Sequence, residues 1–270
     1  MRLWQVAFAA AALVCASGGA AGASAATCGG DFNVWLAAFR TEAAAAGISA
    51  DTLNAALSGL QPDAAILALD RKQGYFKQSF ETYRAKRVTP AHLRIGRERM
   101  KLQASFFKQL EDRFGVPGPV LLAIWGLETG FGGGSGNTPT IRSLATLAHD
   151  CRRSDFFRNE LLAALQIVAR GDLTPGAMRG GWAGELGQTQ FLPSSYVKFA
   201  VDDDGDGRRD LIHSSADALA STANYLKSYG WKAGQPWDEG TANFAVLTSW
   251  NKAEVYRKTI AWFANQIAGR

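Results

Sequence analysis

The chain has 270 residues, with 29 Lys and Arg against 24 Asp and Glu and a formal net charge of +5. That length suits one or two domains at roughly 100–200 residues each. The basic residues are scattered rather than run together, which argues against nucleic acid as a partner and suits a protein that meets an anionic wall or membrane surface. No CxxC pair or His/Cys cluster is present, so a zinc site is not expected.

The first residues set the expected compartment. Met1 and Arg2 form a short positive start, Leu3 to Val14 an apolar run, and Ala23-Ser24-Ala25 a small-x-small cleavage pattern. Together they predict a cleavable secretory signal peptide over residues 1–25, since the apolar run is too short for a permanent membrane span. Val14 before Cys15 argues against lipoprotein processing. Removing the leader takes away Arg2 and no acidic residue, leaving 28 basic against 24 acidic residues and a charge of +4. Cys28 and Cys151 are then the remaining cysteines, and export to an oxidising compartment predicts a disulfide between them.

Downstream the chain reads as mainly α-helical. Trp35, Leu36 and Phe39 begin an amphipathic stretch ending at Gly47, and Ser49 to Leu57 forms a second short helix ending near Gly59. Residues 63–87, with Tyr75, Phe76, Phe80 and Tyr83, are less regular and are expected to wrap the surface. Pro90 opens a long helix with Leu102, Phe106, Leu110 and Phe114 on one face, ended by Gly115. An apolar helix from Val120 to Leu127 stops at the Gly-rich run 130–136. Phe156 to Ala169 is helical behind a Ser154-Asp155 cap. Residues 171–192 form a Gly- and aromatic-rich loop, Ser214 to Tyr229 a helix with Leu219, Ala223 and Leu226 inward, and a terminal helix follows Asn251. No repeat or linker divides the chain. One catalytic domain over 26–270 is expected, with an N-terminal helical subregion (26–89) ahead of a core (90–270).

Glu128 is the informative residue. It ends the apolar helix and is the only acidic residue between Asp112 and Asp150. Apolar neighbours and the negative end of a helix dipole both disfavour its charged form, as a general acid at neutral pH requires. A solvent-facing Glu at a frayed helix end fits the local pattern equally well. A second cluster, Gly180-Gly181-Trp182-Ala183-Gly184-Glu185-Leu186-Gly187-Gln188-Thr189-Gln190-Phe191, mixes glycines, aromatics and amides. Sugar sites need flat apolar faces for rings and amides for hydroxyl and acetamido groups, roles that Trp182, Gln188 and Gln190 fit. Read alone, the cluster also fits a structural turn around a core Trp.

Several stretches in fixed order carry a resemblance. They are Gly115-Val116-Pro117 through Trp125-Gly126-Leu127-Glu128-Thr129, Leu144 to Ala148, Arg152-Arg153 with Phe156-Phe157, and Trp182-Ala183-Gly184 through Gly187-Gln188-Thr189-Gln190-Phe191. Pro193 to Tyr196, Ala200 to Asp202, Asp204 to Gly207, Ala223 to Leu226 and Gly230-Trp231 complete the set. The chain resembles the membrane-bound lytic murein transglycosylase B family, lysozyme-like enzymes acting on peptidoglycan. That resemblance implies a lysozyme-like helical fold with a two-lobed cleft, a single catalytic glutamate at Glu128, and a periplasmic location. It implies that Gln190 contacts substrate and that Asn251 lines the far side of the cleft. The full substrate-contacting set expected is Gln190, Gln188, Trp182, Gly181, Asn251 and Tyr225. Peptidoglycan glycan strands are the expected partner, alongside cell-wall or secretion-machinery proteins. The family usually has serine where this chain has Gly181 and alanine where it has Glu185, so both positions depart from the pattern.

Glycoside hydrolysis ordinarily pairs two carboxylates, whereas the resemblance implies a reaction with one, in which the N-acetylmuramic acid itself supplies the nucleophile. Glu128 would protonate the glycosidic oxygen between N-acetylmuramic acid and N-acetylglucosamine, then take the proton of the C6 hydroxyl as a 1,6-anhydro ring closes. No cofactor is needed for that reaction. Simple hydrolysis with Glu185 as a second carboxylate is the alternative enzyme, and a non-catalytic wall-binding scaffold is the alternative outside enzymology. Finally, Asp202-Asp203-Asp204-Gly205-Asp206-Gly207-Arg208 resembles the first half of an EF-hand loop. Asp202, Asp204, Asp206 and the Arg208 carbonyl would bind a structural calcium. His213 stands where glutamate is expected, so Asp217 would complete the site or else serve the Ser214-x-x-Asp217 helix cap.

Overall fold

The computed structural model describes residues 25–72 and 78–270. Apart from Ala25, the expected leader lies outside the described residues, as do Tyr75 and Phe76. The chain is built from helices, with one two-stranded sheet among the described residues. Helices α1 (Phe32–Ala45) and α2 (Ala50–Leu57) start at the side-chain caps Asp31 and Ser49. Each cap oxygen accepts free N–H groups of the first turn. Gly47 and Gly59 follow with positive φ, so both expected helices and their stops are present. The disulfide Cys28–Cys151 forms and closes a loop of 123 residues, tying the chain ahead of α1 to the middle of the fold.

Residues 63–87 are more ordered than their pattern suggests. They form α3 (Ala64–Arg71) and α4 (Phe80–Arg87), capped by Asp63 and Ser79. Asp70 in α3 is buried and accepts hydrogen bonds from both Arg152 and Arg153, which hold its carboxyl below the ordinary range; the Arg152 bond contributes most. Neither helix carries a long apolar stripe, so charge pairing and packing against later helices position them.

The single long helix expected over 90–114 is two helices. Thr89 and His92 form a capping box ahead of α5 (Pro90–Leu102), and α6 (Ala104–Phe114) follows a break at Gln103. The break lets α5 pack on α7 and α13 while α6 packs on α7 and α11. It turns Leu102 out to solvent, 74% exposed, and makes Phe107 and Leu110 the buried face of α6. Helix α7 (Gly118–Thr129) is buried on every side, which explains a sequence apolar all round rather than along one stripe.

Beyond it, β1 (Thr138–Pro139) leads into α8 (Thr140–His149), which pairs with α9 (Ser154–Ala169). Ser154 does not cap α9. It lies inside the helix, and its hydroxyl donates to the Ala148 carbonyl. Strand β2 (Arg179–Gly180) pairs antiparallel with β1. Gly136 allows this approach, since a Cβ there would sit 2.2 Å from the Gly180 carbonyl oxygen. Helices α10 (Pro193–Phe199), α11 (Ser215–Ser228), α12 (Ala242–Trp250) and α13 (Glu254–Ala268) complete the chain, α12 standing ahead of Asn251, where the expected terminal helix begins. Leu219, Ala223 and Leu226 are buried on α11 as their spacing predicts. One hydrophobic cluster runs from Ala26 to Ile267.

Candidate active site

Glu128 lies in the last turn of α7, where Gly130 ends the helix in the left-handed conformation. The Trp250 indole N–H donates to Glu128 Oε1 at 3.0 Å, and the Tyr256 hydroxyl donates to the same oxygen at 2.5 Å. Among the described residues no donor reaches Oε2. Burial pushes the Glu128 carboxyl above its ordinary value. The Tyr256 and Trp250 bonds and the charge of Arg87 pull it down, while Glu185 pushes it up. Burial wins, so a proton is retained more firmly than on an exposed glutamate.

The partners of Glu128 are themselves fixed. Trp250 ends α12 and packs edge-on against Phe191 and Tyr225, at ring separations of 5.5 and 5.2 Å. The Tyr225 hydroxyl donates to the Ser249 carbonyl at 2.6 Å, so α11 holds the end of α12. Arg87, at the end of α4, donates to the Leu127 carbonyl at 2.7 Å and brings its charge beside Glu128. The supposedly irregular segment therefore helps set the charge state of the glutamate.

Glu128 opens onto a cavity of about 490 Å³. Arg153, Phe156 and Phe157 from the start of α9 line it, as do Gly181 to Ala183, Glu185, and Gln190 to Leu192 from the loop. Tyr225, Ser249, Trp250 and Asn251 close the far side. A space of that size accepts a disaccharide-sized ligand. Half-exposed Trp182 offers a ring face, and Gln190, Asn251 and Arg153 offer polar groups. Of the two positive-φ residues other than glycine among those described, Gln190 lines this cavity, whereas Phe131 is buried against Trp125 and Phe263.

Of the residues expected to bind substrate, Gln190, Trp182, Gly181, Asn251 and Tyr225 come together at the cavity with Glu128. Gln188 does not. Its side chain is buried and donates to the Ile212 carbonyl at 3.2 Å, while its own carbonyl accepts from Thr129. It ties the Gly-rich loop to α7 and to the acidic loop, a structural job that an amide performs as well as sugar binding. Tyr256 and Arg87 were not selected from sequence, and Phe156-Phe157 stood out there only as a shared motif, without a site role. Trp250 stood next to Asn251, but Tyr256 lies 128 residues from Glu128 and carries no local mark.

In the acidic loop, carboxylate oxygens of Asp202, Asp204 and Asp217 lie within 4.8 Å of one another. Asp206 stands outside that group, accepting from the Arg208 N–H and pairing with its guanidinium. Asp217 is buried and accepts from the backbone N–H groups of Asp203, Asp204 and Asp210. Ser214 accepts from the Asp217 N–H, so the helix cap forms as well. Asp217 thus moors the loop to α11, together with the Val201 N–H to Ser221 and Ser214 to Asp204 hydrogen bonds.

The Transglycosylase SLT domain family matches residues 31–241 of this chain. The chain belongs to the SLT transglycosylase family. It is 36% identical over 160 residues to membrane-bound lytic murein transglycosylase B of Escherichia coli K12, a match covering 56% of this chain and 42% of that relative. SltB3 of Pseudomonas aeruginosa, solved in complex with NAG-NAM-pentapeptide, superposes with a TM-score of 0.84 at 34% identity. That match covers 90% of this chain and 81% of the other. The Escherichia coli lytic transglycosylase Slt35, solved in complex with calcium, superposes with a TM-score of 0.77 at 25% identity, covering 90% and 96%. The lysozyme-like helical fold is therefore that of lytic transglycosylases. No helix among the described residues is long and apolar enough to cross a membrane.

Proposed function

We propose that this chain is a peptidoglycan lytic transglycosylase that cleaves the β-1,4 bond between N-acetylmuramic acid and N-acetylglucosamine and leaves a 1,6-anhydro-muramyl end. One observation carries the reading: a carboxyl raised by burial, with one oxygen held by Trp250 and Tyr256 and the other free towards a glycan-sized cavity. Protonated Glu128 gives its proton to the glycosidic oxygen as the C1–O bond breaks. The Tyr256 and Trp250 donors are then aimed at a carboxylate, so they stabilise the charge that develops there. The carboxylate takes the proton of the C6 hydroxyl as that oxygen bonds to C1, which returns Glu128 to its starting form. The reaction asks for no cofactor.

Mass spectrometry of products released from purified peptidoglycan tests this. Wild type should release fragments one water lighter than hydrolysed muropeptides, and Glu128→Gln should release none. Reducing-end products would instead favour a muramidase. Glu185 gives that second reading its support, because it lines the same cavity and burial raises its carboxyl too.

Calcium fits the oxygens of Asp202, Asp204 and Asp217, which suit a hard cation. When bound it would cross-link the acidic loop to the first turn of α11, a structural role apart from Glu128. Calcium should raise the melting temperature of wild type and not of Asp204→Asn. The expected leader and the relatives' names favour an exported enzyme of the periplasm, acting as a single catalytic domain on the wall.

A further inference from the structure

Gly181 is not among the glycines with positive φ, so its backbone conformation is open to any L residue. What excludes a side chain is occupancy: a Cβ there would lie 2.4 Å from Glu185 Oε2 and 3.0 Å from Gln190 Oε1. The Glu185 carboxyl therefore fills the volume that a side chain at 181 would take. Backbone pairing holds the two residues in register, with the Gly181 N–H donating to the Glu185 carbonyl at 2.9 Å. Oε2 accepts from the Ala183 N–H at 3.2 Å, and the only donors to the carboxylate among the described residues are backbone N–H groups of its own loop, those of Ala183 and Glu185.

Gln190 faces the same point as an acceptor. Its amide nitrogen is committed to the carbonyls of Ser135, at 3.0 Å, and Gly187, at 2.9 Å, which leaves Oε1 presented towards Gly181. Two acceptors thus converge on one corner of the cavity that holds Glu128, without a protein donor between them. Desolvated acceptors in that arrangement are unfavourable until a donor enters. A glycan brings hydroxyl and acetamido N–H donors.

We propose that Glu185, seated by the missing side chain of Gly181, is a substrate-binding residue that accepts, together with Gln190 Oε1, a hydrogen bond from a hydroxyl or N–H of the sugar beside Glu128. The inference rests on the glycan-cleaving reading above and adds a residue pair to it. Gly181 and Glu185 then form one unit. A methyl group at 181 displaces only the far end of a flexible side chain, so the fold survives while the acceptor is lost.

Binding of a soluble N-acetylglucosamine–N-acetylmuramic acid oligomer to Glu128→Gln separates this from catalysis. In that background Glu185→Ala should weaken binding about tenfold or more, as loss of a charge-assisted hydrogen bond does. Gly181→Ala should weaken it comparably with an unchanged melting temperature, and the double substitution should be no worse than either alone. Glu185→Ala in the active enzyme should still give 1,6-anhydro ends. Unchanged affinity in Glu185→Ala, or effects of the two substitutions that multiply, overturns the proposal while leaving the glycan reading intact. Water-adding products that disappear in Glu185→Ala, with binding unchanged, overturn it in favour of a water-activating base. If Glu128→Gln binds no oligomer, the glycan reading falls and this inference with it.

Discussion

Tyr256→Phe removes a single hydroxyl and leaves the ring that packs 6.3 Å from Tyr83 in place. The hydroxyl is the shorter of the two donors on Glu128 Oε1 and the largest influence holding that carboxyl down against burial. A hydrogen bond to a charged group contributes about 1.5–3 kcal/mol. In the proposed reaction it acts most on the carboxylate that forms as the glycosidic oxygen takes the proton, so its loss should fall mainly on the barrier. At about 1.4 kcal/mol per tenfold in rate, kcat should drop about 10- to 100-fold, with KM little changed. The same loss destabilises the ionised form and shifts Glu128 further up. The high-pH side of the activity profile, where the acid is lost, should therefore move to higher pH even as the maximum falls. Release of soluble fragments from purified peptidoglycan, followed over a pH series, measures both effects. A Tyr256→Phe enzyme with wild-type kcat, or one whose high-pH limb moves down, would refute the reasoning.

The remaining predictions concern stability. Glu128→Gln should raise the melting temperature by a few degrees at neutral pH, because it removes a carboxylate whose ionised form is penalised by burial. That gain should vanish as pH falls below the ordinary carboxylate range, where Glu128 is protonated both folded and unfolded. Asp70→Asn should do the opposite and lower the melting temperature at neutral pH. The carboxyl of Asp70 is held down by Arg152 and Arg153, so its stabilisation is complete above the ordinary value and disappears as pH drops through the lowered one. Two thermal-melt series across pH 2 to 7 check both signs. Replacing Cys28 with Ser opens a 123-residue loop and should cost about 2–4 kcal/mol in denaturant unfolding.

Legibility in the sequence followed the range of the interaction concerned. Local hydrogen bonds and conformational limits are written in neighbouring residues, so the starts of α2 and α5 and the glycines that follow α1 and α2 could be read directly. Burial of α7 was equally plain, because a helix apolar on every side has nowhere to sit but the core. Glu128 at its end followed from the same reasoning, strengthened by motifs shared with a family. The break at Gln103 carried no glycine or proline to announce it and lets α5 reach α13 and α6 reach α11 while both pack on α7. Gln188 and Gln190 are two residues apart in one motif and equally suited to sugar on paper. The turn at Gln190, with its φ of 54°, sends one amide to the cavity while the other is buried against Ile212. Tyr256, Trp250 and Arg87 meet Glu128 only because three distant helices converge on its turn, and Glu185 takes the space beside Gly181 only because a loop folds back on itself. Sequence alone thus determined most of the helices, which one is buried, and where Glu128 stands, since those depend on propensity and hydrophobic pattern. The surroundings that set the proton affinity of that acid depend on distances across the fold, and tertiary packing decided them.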